Sequence, residues 1–226
     1  MEELSNPAVY ANETELLDVC NSFVKQSAKV YCEFGGRRIP IANCNLVGDL
    51  LEDIVYPFIK EKLPDFEEGP KQASPDFFGD NKNYEFELKV FKGGPGFDIG
   101  NFASFVTQLA KEGGVYRKLF NTKYMVFEYD INAECEITIV RFHYLPVYKL
   151  VSYSSKYPIS MQVKRGQWYN IRPDSVKNWY STEKTPEMFI DKIIACIAQC
   201  PEMENREEKV ADILRQFLDI KSKYAL

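Results

Sequence analysis

Histidine is almost missing from this chain: His143 is the single one in 226 residues. That excludes zinc centres built from several histidines and nuclease sites in which histidine carries the metal. There is no Gly-x-Ser-x-Gly, so the usual serine-hydrolase turn is absent. His143 lies in the strand-like run from Ile137 to Tyr144 and reads as a packed or surface strand residue. The six cysteines, Cys20, Cys32, Cys44, Cys135, Cys196 and Cys200, form no Cys-x-x-Cys pair. With no signal peptide visible, they read as reduced, mostly buried thiols of a cytoplasmic protein. No apolar run is long enough to span a bilayer, so no membrane partner is expected. No repeat, low-complexity tract or clear linker interrupts the chain. The net charge of −5 excludes a molecule that is basic all over. A nucleic-acid partner would need a local basic surface, or metal ions offsetting acidic groups.

What is present is an ordinary globular composition, 45% hydrophobic and 14% aromatic, in a length suited to a single domain over residues 1–226. Leu16, Leu17, Cys20 and Phe23 at helical spacing predict a helix over Glu13–Gln26. Lys29–Ile41 reads as a hairpin turning at Gly35-Gly36, where positive φ suits glycine. A helix over Asn45–Lys62 would present Leu46, Leu50, Ile54 and Phe58, with Pro57 predicting a kink or an end. A helix is expected over Asn101–Lys111, and strands over Lys123–Tyr129 and Glu136–Tyr144. Val147–Val151 and Ile159–Lys164 also read as strands. Pro186–Gln199 and Glu204–Lys223 read as amphipathic helices. This order predicts an α/β fold around a central mixed sheet flanked by helices.

The most informative stretch runs from Ser74 to Phe91. A short strand, Asp76–Phe78, leads through a polar turn, Gly79–Asn83, into a second strand, Tyr84–Phe91. Alternation points Tyr84, Phe86, Leu88 and Val90 one way and Glu85, Glu87, Lys89 and Phe91 the other. A turn centred on Asn81 and Lys82 sets Asp76 opposite Glu87. Two carboxylates and an ammonium then meet at one place on a sheet, which suits a hard divalent cation and a water beside it. The plainer reading is the wet face of an edge hairpin, with cross-strand charge pairs.

Pro75-Asp76 followed by Glu87-Leu-Lys89 resembles the PD-(D/E)xK nuclease motif. Pro64-Asp65 could also precede Glu87, at a longer gap. Pro173-Asp174 precedes Glu207-Glu-Lys209, but in a predicted helix, where residues two apart do not share a face. The surroundings resemble the EcoRV-like branch of type II restriction endonucleases. The matching features are a small N-terminal hairpin, the acid Glu52 on the following helix, Glu68-Gly-Pro-Lys-Gln72 ahead of the motif, and Gly100-Asn-Phe-Ala-Ser-Phe105 after it. A tryptophan-bearing strand and loop near Trp168–Lys177 also match, although Arg172, Lys177 and aromatics replace the small polar run usual there.

The resemblance implies a restriction-endonuclease-like fold with a small N-terminal dimerisation hairpin, residues 13–62 contributing to a homodimer. It implies Mg²⁺-dependent hydrolysis of both strands of a short duplex site, with Mn²⁺ able to substitute. Asp76, Glu87 and Glu52 would hold metal, with the carbonyl of Leu88 as a further ligand, and Lys89 would stabilise the nucleophile. Lys71, Gln72, Asn101, Ser104, Arg172, Lys177 and Asn178 would contact DNA. For Asn101 the alternative is a helix N-cap, and for Lys71 and Gln72 a solvated loop. Trp168 and Trp179 read as packing residues. A companion DNA methyltransferase would protect host DNA. The rival functions are a structure-selective repair or junction-resolving nuclease and a non-catalytic DNA-binding protein.

Overall fold

The computed structural model describes residues 10–41, 44–71, 73–154, 156–200 and 202–224, without the side chains of residues 44, 45, 47–49 and 52. Gln72 and the side chain of Glu52 therefore lie outside the described residues. The elements in chain order begin with α1 (Glu13–Ser22), β1 (Ser27–Lys29), β2 (Tyr31–Phe34), β3 (Arg37–Pro40) and α2 (Cys44–Lys62). Next come β4 (Glu67–Glu68), β5 (Phe77–Gly79), β6 (Tyr84–Phe91), β7 (Gly100–Asn101), α3 (Phe102–Ala110) and α4 (Gly114–Tyr116). Then follow β8 (Thr122–Ile131), β9 (Glu136–Pro146), α5 (Val147–Leu150), β10 (Met161–Lys164), β11 (Gln167–Ile171), α6 (Pro186–Gln199) and α7 (Arg206–Tyr224). The chain forms two compact units, Tyr10–Pro95 with Tyr124–Tyr144, and Gly96–Lys123 with the stretch from Leu145 onward.

The first unit is built on a six-stranded sheet ordered β1-β9-β8-β6-β5-β4. Strand β6 lies inside this sheet, between β8 and β5, and β4 covers the far side of β5 through Glu67 opposite Phe78. The two strands of the Ser74–Phe91 hairpin are thus interior strands, contrary to the edge position of the plainer reading. One face of β6 packs Tyr84, Phe86 and Leu88 into a core with Leu16 and Cys20 of α1 and Leu51, Val55 and Ile59 of α2. Phe86 sits between Tyr10 and Phe66, ring centroids 5.4 Å and 5.2 Å away. Burying a ring of that size contributes about 1.5–3 kcal/mol.

Helix α2 departs from the expected orientation. Leu51, Val55, Ile59 and Leu63 face inward, while Leu46, Ile54 and Phe58 are exposed. The helix carries two apolar stripes about one residue apart, and periodicity alone does not say which one the sheet takes. It also runs through Pro57 to Lys62, neither ending nor yielding its last turn there. The β2–β3 hairpin forms as expected, with Gly35 and Gly36 at φ 58° and 73°, and every residue of its strands is exposed.

The second unit has a three-stranded sheet, β10-β11-β7, and a helical core. Buried Phe102, Phe105, Val106 and Leu109 of α3 belong to this core, as do Phe189, Ile193 and Ile197 of α6 and Ile213 and Phe217 of α7. Gln216, buried on α7, accepts from Val115 N–H and donates to the carbonyls of Leu109 and Ala110, satisfying the end of α3. Val147–Val151, expected as a strand, is instead one helical turn closed by Val151 N–H to Val147 O. Val147, Leu150 and Val151 are all buried; their i, i+3, i+4 spacing outweighs the β-branched side chains. Among the described residues Cys20, Cys32, Cys135, Cys196 and Cys200 are free thiols, and burial pushes Cys196 up to about 11.

Candidate active site

The register of the hairpin sets the site. Phe77 pairs with Phe86 and Phe78 with Glu85, so one step further out Asp76 comes level with Glu87. The Asp76 carboxylate turns onto β6, where its Oδ2 accepts the Leu88 N–H at 2.7 Å. The Lys89 ammonium lies 3.4 Å from Asp76 Oδ2 and 3.4 Å from Glu87 Oε2, bridging the two acids. At their ordinary charges the three groups sum to −1. Glu87 is 6% exposed and Glu85, on the same face, 5% exposed. These acids are therefore not the solvated side chains of a wet sheet face. A buried carboxylate such as Glu87 needs a charge partner, because desolvated charge is costly.

Two contacts hold the acids in place. Ser74 Oγ donates to Glu87 Oε1, leaving Oε2 toward Lys89. Gly69 N–H donates to the Asp76 carbonyl at 2.7 Å. A Cβ on Gly69 would lie 1.8 Å from the Pro75 carbonyl oxygen, so the chain passes where only glycine fits. Behind the acids, Tyr124 is fully buried. Burial, then Glu87, Asp76 and Glu85 in that order, pushes its phenol well above the ordinary tyrosine range. Sequence reasoning missed Ser74, Gly69 and Tyr124. The motif names only the charged residues, although Gly69 falls inside the quoted Glu68–Gln72 stretch.

The donor set fits a hard divalent ion. The buried Glu87 and half-buried Asp76 carboxylates direct oxygens at the Lys89 ammonium, and oxygen ligands are what Mg²⁺ selects. No group of three or more His, Cys, Asp and Glu residues suited to metal occurs among the described residues. Glu52 is carried on α2, and its side chain lies outside the described residues.

The competing motifs have structural work. Asp65 accepts from Tyr10 Oη, Asn12 Nδ2 and Asp80 N–H, tying the hairpin turn to the N-terminal segment. Asp174 receives the buried Lys184 ammonium at 2.8 Å and the Asn178 amide at 3.0 Å. Glu207 and Lys209 lie on α7, as the helical reading requires.

The expected DNA-contacting residues divide. Lys71 and Lys177 are exposed. Asn101 caps α3, its Oδ1 accepting from Ser104 N–H, while its Nδ2 donates to the Tyr169 carbonyl. Both halves of its amide thus serve the fold, as the N-cap alternative expects. Ser104 is exposed, its hydroxyl 3.5 Å from Gln108 Nε2. Arg172 pairs with Asp98 and donates to the Gly96 carbonyl, pinning the chain ahead of β7. Lys92, just after β6, lies 3.3 Å from Asp130. Trp179 is buried and donates to the Asp174 carbonyl, and Trp168 packs on Phe102, so both are packing residues. His143 is buried beside Phe91, and burial, then Arg141, holds it below the ordinary histidine range.

A mixed α/β fold in which Pro75-Asp76 leads into one interior strand and Glu87-Leu88-Lys89 lies on the next defines the class of restriction-endonuclease-like proteins. The chain belongs to the NgoBV restriction endonuclease family, matched over residues 11–224. It is 25% identical over 146 residues to the type II restriction enzyme NlaIV of Neisseria lactamica, covering 62% of this chain and 57% of that protein's length. The solved structure of NlaIV restriction endonuclease shares the fold, with a TM-score of 0.74 at 22% identity. The match covers 93% of this chain and 90% of that one.

Proposed function

We propose that the protein is a type II restriction endonuclease that hydrolyses both strands of duplex DNA at a short sequence, using Mg²⁺ or Mn²⁺. The reading is carried by one observation: Asp76, at the entry of interior strand β5, meets Glu87 and Lys89 of interior strand β6, both acids within 3.4 Å of one ammonium. Asp76 and Glu87 would hold the cation, with Leu88 and Glu52 as further oxygen donors. When bound, such an ion supplies Lewis acidity to a phosphodiester and acidifies a water. Lys89 would stabilise negative charge developing on the phosphate and orient the attacking water. Ser74 would hold Glu87 so that one carboxylate oxygen stays on the cation side. Lys71, Gln72, Ser104, Lys177 and Asn178 remain proposed DNA contacts, with Asn101 and Arg172 ordering the backbone around them.

Two copies acting together would cut both strands. The exposed Phe34 and Ile39 of the β2–β3 hairpin and the exposed Leu46, Ile54 and Phe58 of α2 support that assembly. The proposed setting is cytoplasmic, beside a methyltransferase that protects the host's own sites.

Digestion of plasmid DNA with Mg²⁺, followed by sequencing of the ends, tests the function. Discrete fragments sharing one terminal sequence are expected. Nicking that follows DNA structure and not sequence would favour a repair or junction-resolving enzyme. The role of Ser74 is tested separately on DNA-free protein. Outer-shell partners of metal ligands contribute ~10–100-fold in affinity, so Ser74→Ala should weaken Mn²⁺ binding by about that factor in calorimetric titration. Ser74→Thr should retain it.

A further inference from the structure

From Leu145 to Pro173 the chain contains no Asp or Glu but carries Lys149, Lys156, Lys164, Arg165 and Arg172, in a protein of net charge −5. All of this stretch lies in the second compact unit. Arg172 is taken up by Asp98, and Lys149 donates to the Ser181 carbonyl. Lys156, Lys164 and Arg165 are exposed and make no ion pair among the described residues. Each of the two lysines lies over an aromatic ring. Lys164 lies 4.1 Å from the ring centre of Tyr169, which is 42% exposed. Lys156 lies 5.4 Å from that of Tyr157, whose ring meets Trp168 edge-on at 5.2 Å.

The turn itself is unusual. Lys164 pairs with Gln167, so Arg165 and Gly166 form a two-residue loop, at φ 52° and 83°. Glycine, asparagine or aspartate is the ordinary choice at the first of these positions. An arginine held in the left-handed region costs roughly 1 kcal/mol. An unfavourable backbone conformation retained at an exposed tip points to a use for the side chain.

We propose that the tip of the β10–β11 hairpin, through Lys164 and Arg165, with Lys156 of the segment leading into β10 beside it, grips the phosphate backbone of duplex DNA. The inference rests on the nuclease reading and locates a basic surface that the acidic chain needs for it. Ammonium and guanidinium groups interleaved with aromatic rings suit a polyanion, and phosphate contacts set register without reading sequence. The plainer account is that lysines on the edge strand β10 discourage strand-to-strand association, which predicts no effect on DNA.

Binding of labelled duplexes in EDTA, followed by anisotropy from about 50 to 200 mM salt, separates the two. Each lost phosphate contact lowers the slope of log K against log salt by about 0.9. The Lys164→Ala/Arg165→Ala double variant should therefore lose about two from the slope and weaken binding to unrelated duplexes alike. Lys223→Ala, on α7, should leave the slope unchanged, and thermal melting confirms that each variant is folded. A wild-type slope in the double variant overturns the hairpin assignment and leaves the nuclease reading standing. A loss confined to one duplex sequence overturns backbone contact in favour of base reading. Failure of the wild-type protein to bind any duplex overturns this proposal, and failure to cut DNA with Mg²⁺ as well overturns the nuclease reading with it.

Discussion

Asp76→Asn is expected to lower DNA cleavage by several orders of magnitude while leaving the fold intact. The substitution removes the charge that would hold the cation but keeps a side-chain oxygen able to accept the Leu88 N–H, now bonded at 2.7 Å. Lys89→Ala should cost about 10²–10³-fold, the usual effect of losing one group that stabilises transition-state charge. The two variants should differ in stability. Lys89→Ala leaves Glu87 and Asp76 facing each other without the ammonium that now lies 3.4 Å from both, so its melting temperature should fall. Asp76→Asn lessens that repulsion and should melt at or above the wild-type temperature. Single-turnover cleavage of plasmid DNA beside thermal melts checks both. Cleavage at the wild-type rate by either variant would remove that residue from the cutting centre.

Gly69→Ala should disable the enzyme without touching a charged group. The added methyl would lie 1.8 Å from the Pro75 carbonyl oxygen, 2.9 Å from the Pro75 carbonyl carbon and 3.0 Å from the Asp76 carbonyl oxygen. All three are backbone atoms, so relief requires the two segments to part, lengthening the 2.7 Å bond from Gly69 N–H to the Asp76 carbonyl. Forced overpacking of this kind typically costs about 1–3 kcal/mol. Moving a catalytic group by about 1 Å can cost about 100-fold in rate. Urea unfolding and single-turnover rates should register both effects. Gly94→Ala, where an added Cβ meets nothing within 4 Å, should match the wild type. Wild-type stability and rate in Gly69→Ala would show that this passage is not what positions Asp76.

Much of the site was legible in one dimension because strand alternation is strict. Once Tyr84–Phe91 is a strand, Glu87 and Lys89 must share a face, and the turn length brings Asp76 level with Glu87. The helices at the C-terminus were legible for a similar reason. The apolar spacing of Pro186–Gln199 predicts a helix, and α6 forms with those bounds. Other features were not local. The burial of Glu85 and Glu87 depends on β8 lying beside β6, a partner distant in sequence. The same holds for α2, where two candidate stripes differ only in which one meets the sheet.

By itself, then, the sequence determined the strand pairing of the motif, the identity of its three charged groups and the family resemblance around it. Those follow from local periodicity and turn chemistry, which need no knowledge of distant partners. The tertiary structure alone decided that Glu85 and Glu87 are buried and not solvated. It also gave Asp65 and Asp174 structural duties, and it showed Ser74 bonded to the Glu87 carboxylate and Gly69 to the Asp76 backbone carbonyl. These outcomes depend on which segments pack together, and packing contacts are long-range while sequence patterns are short-range.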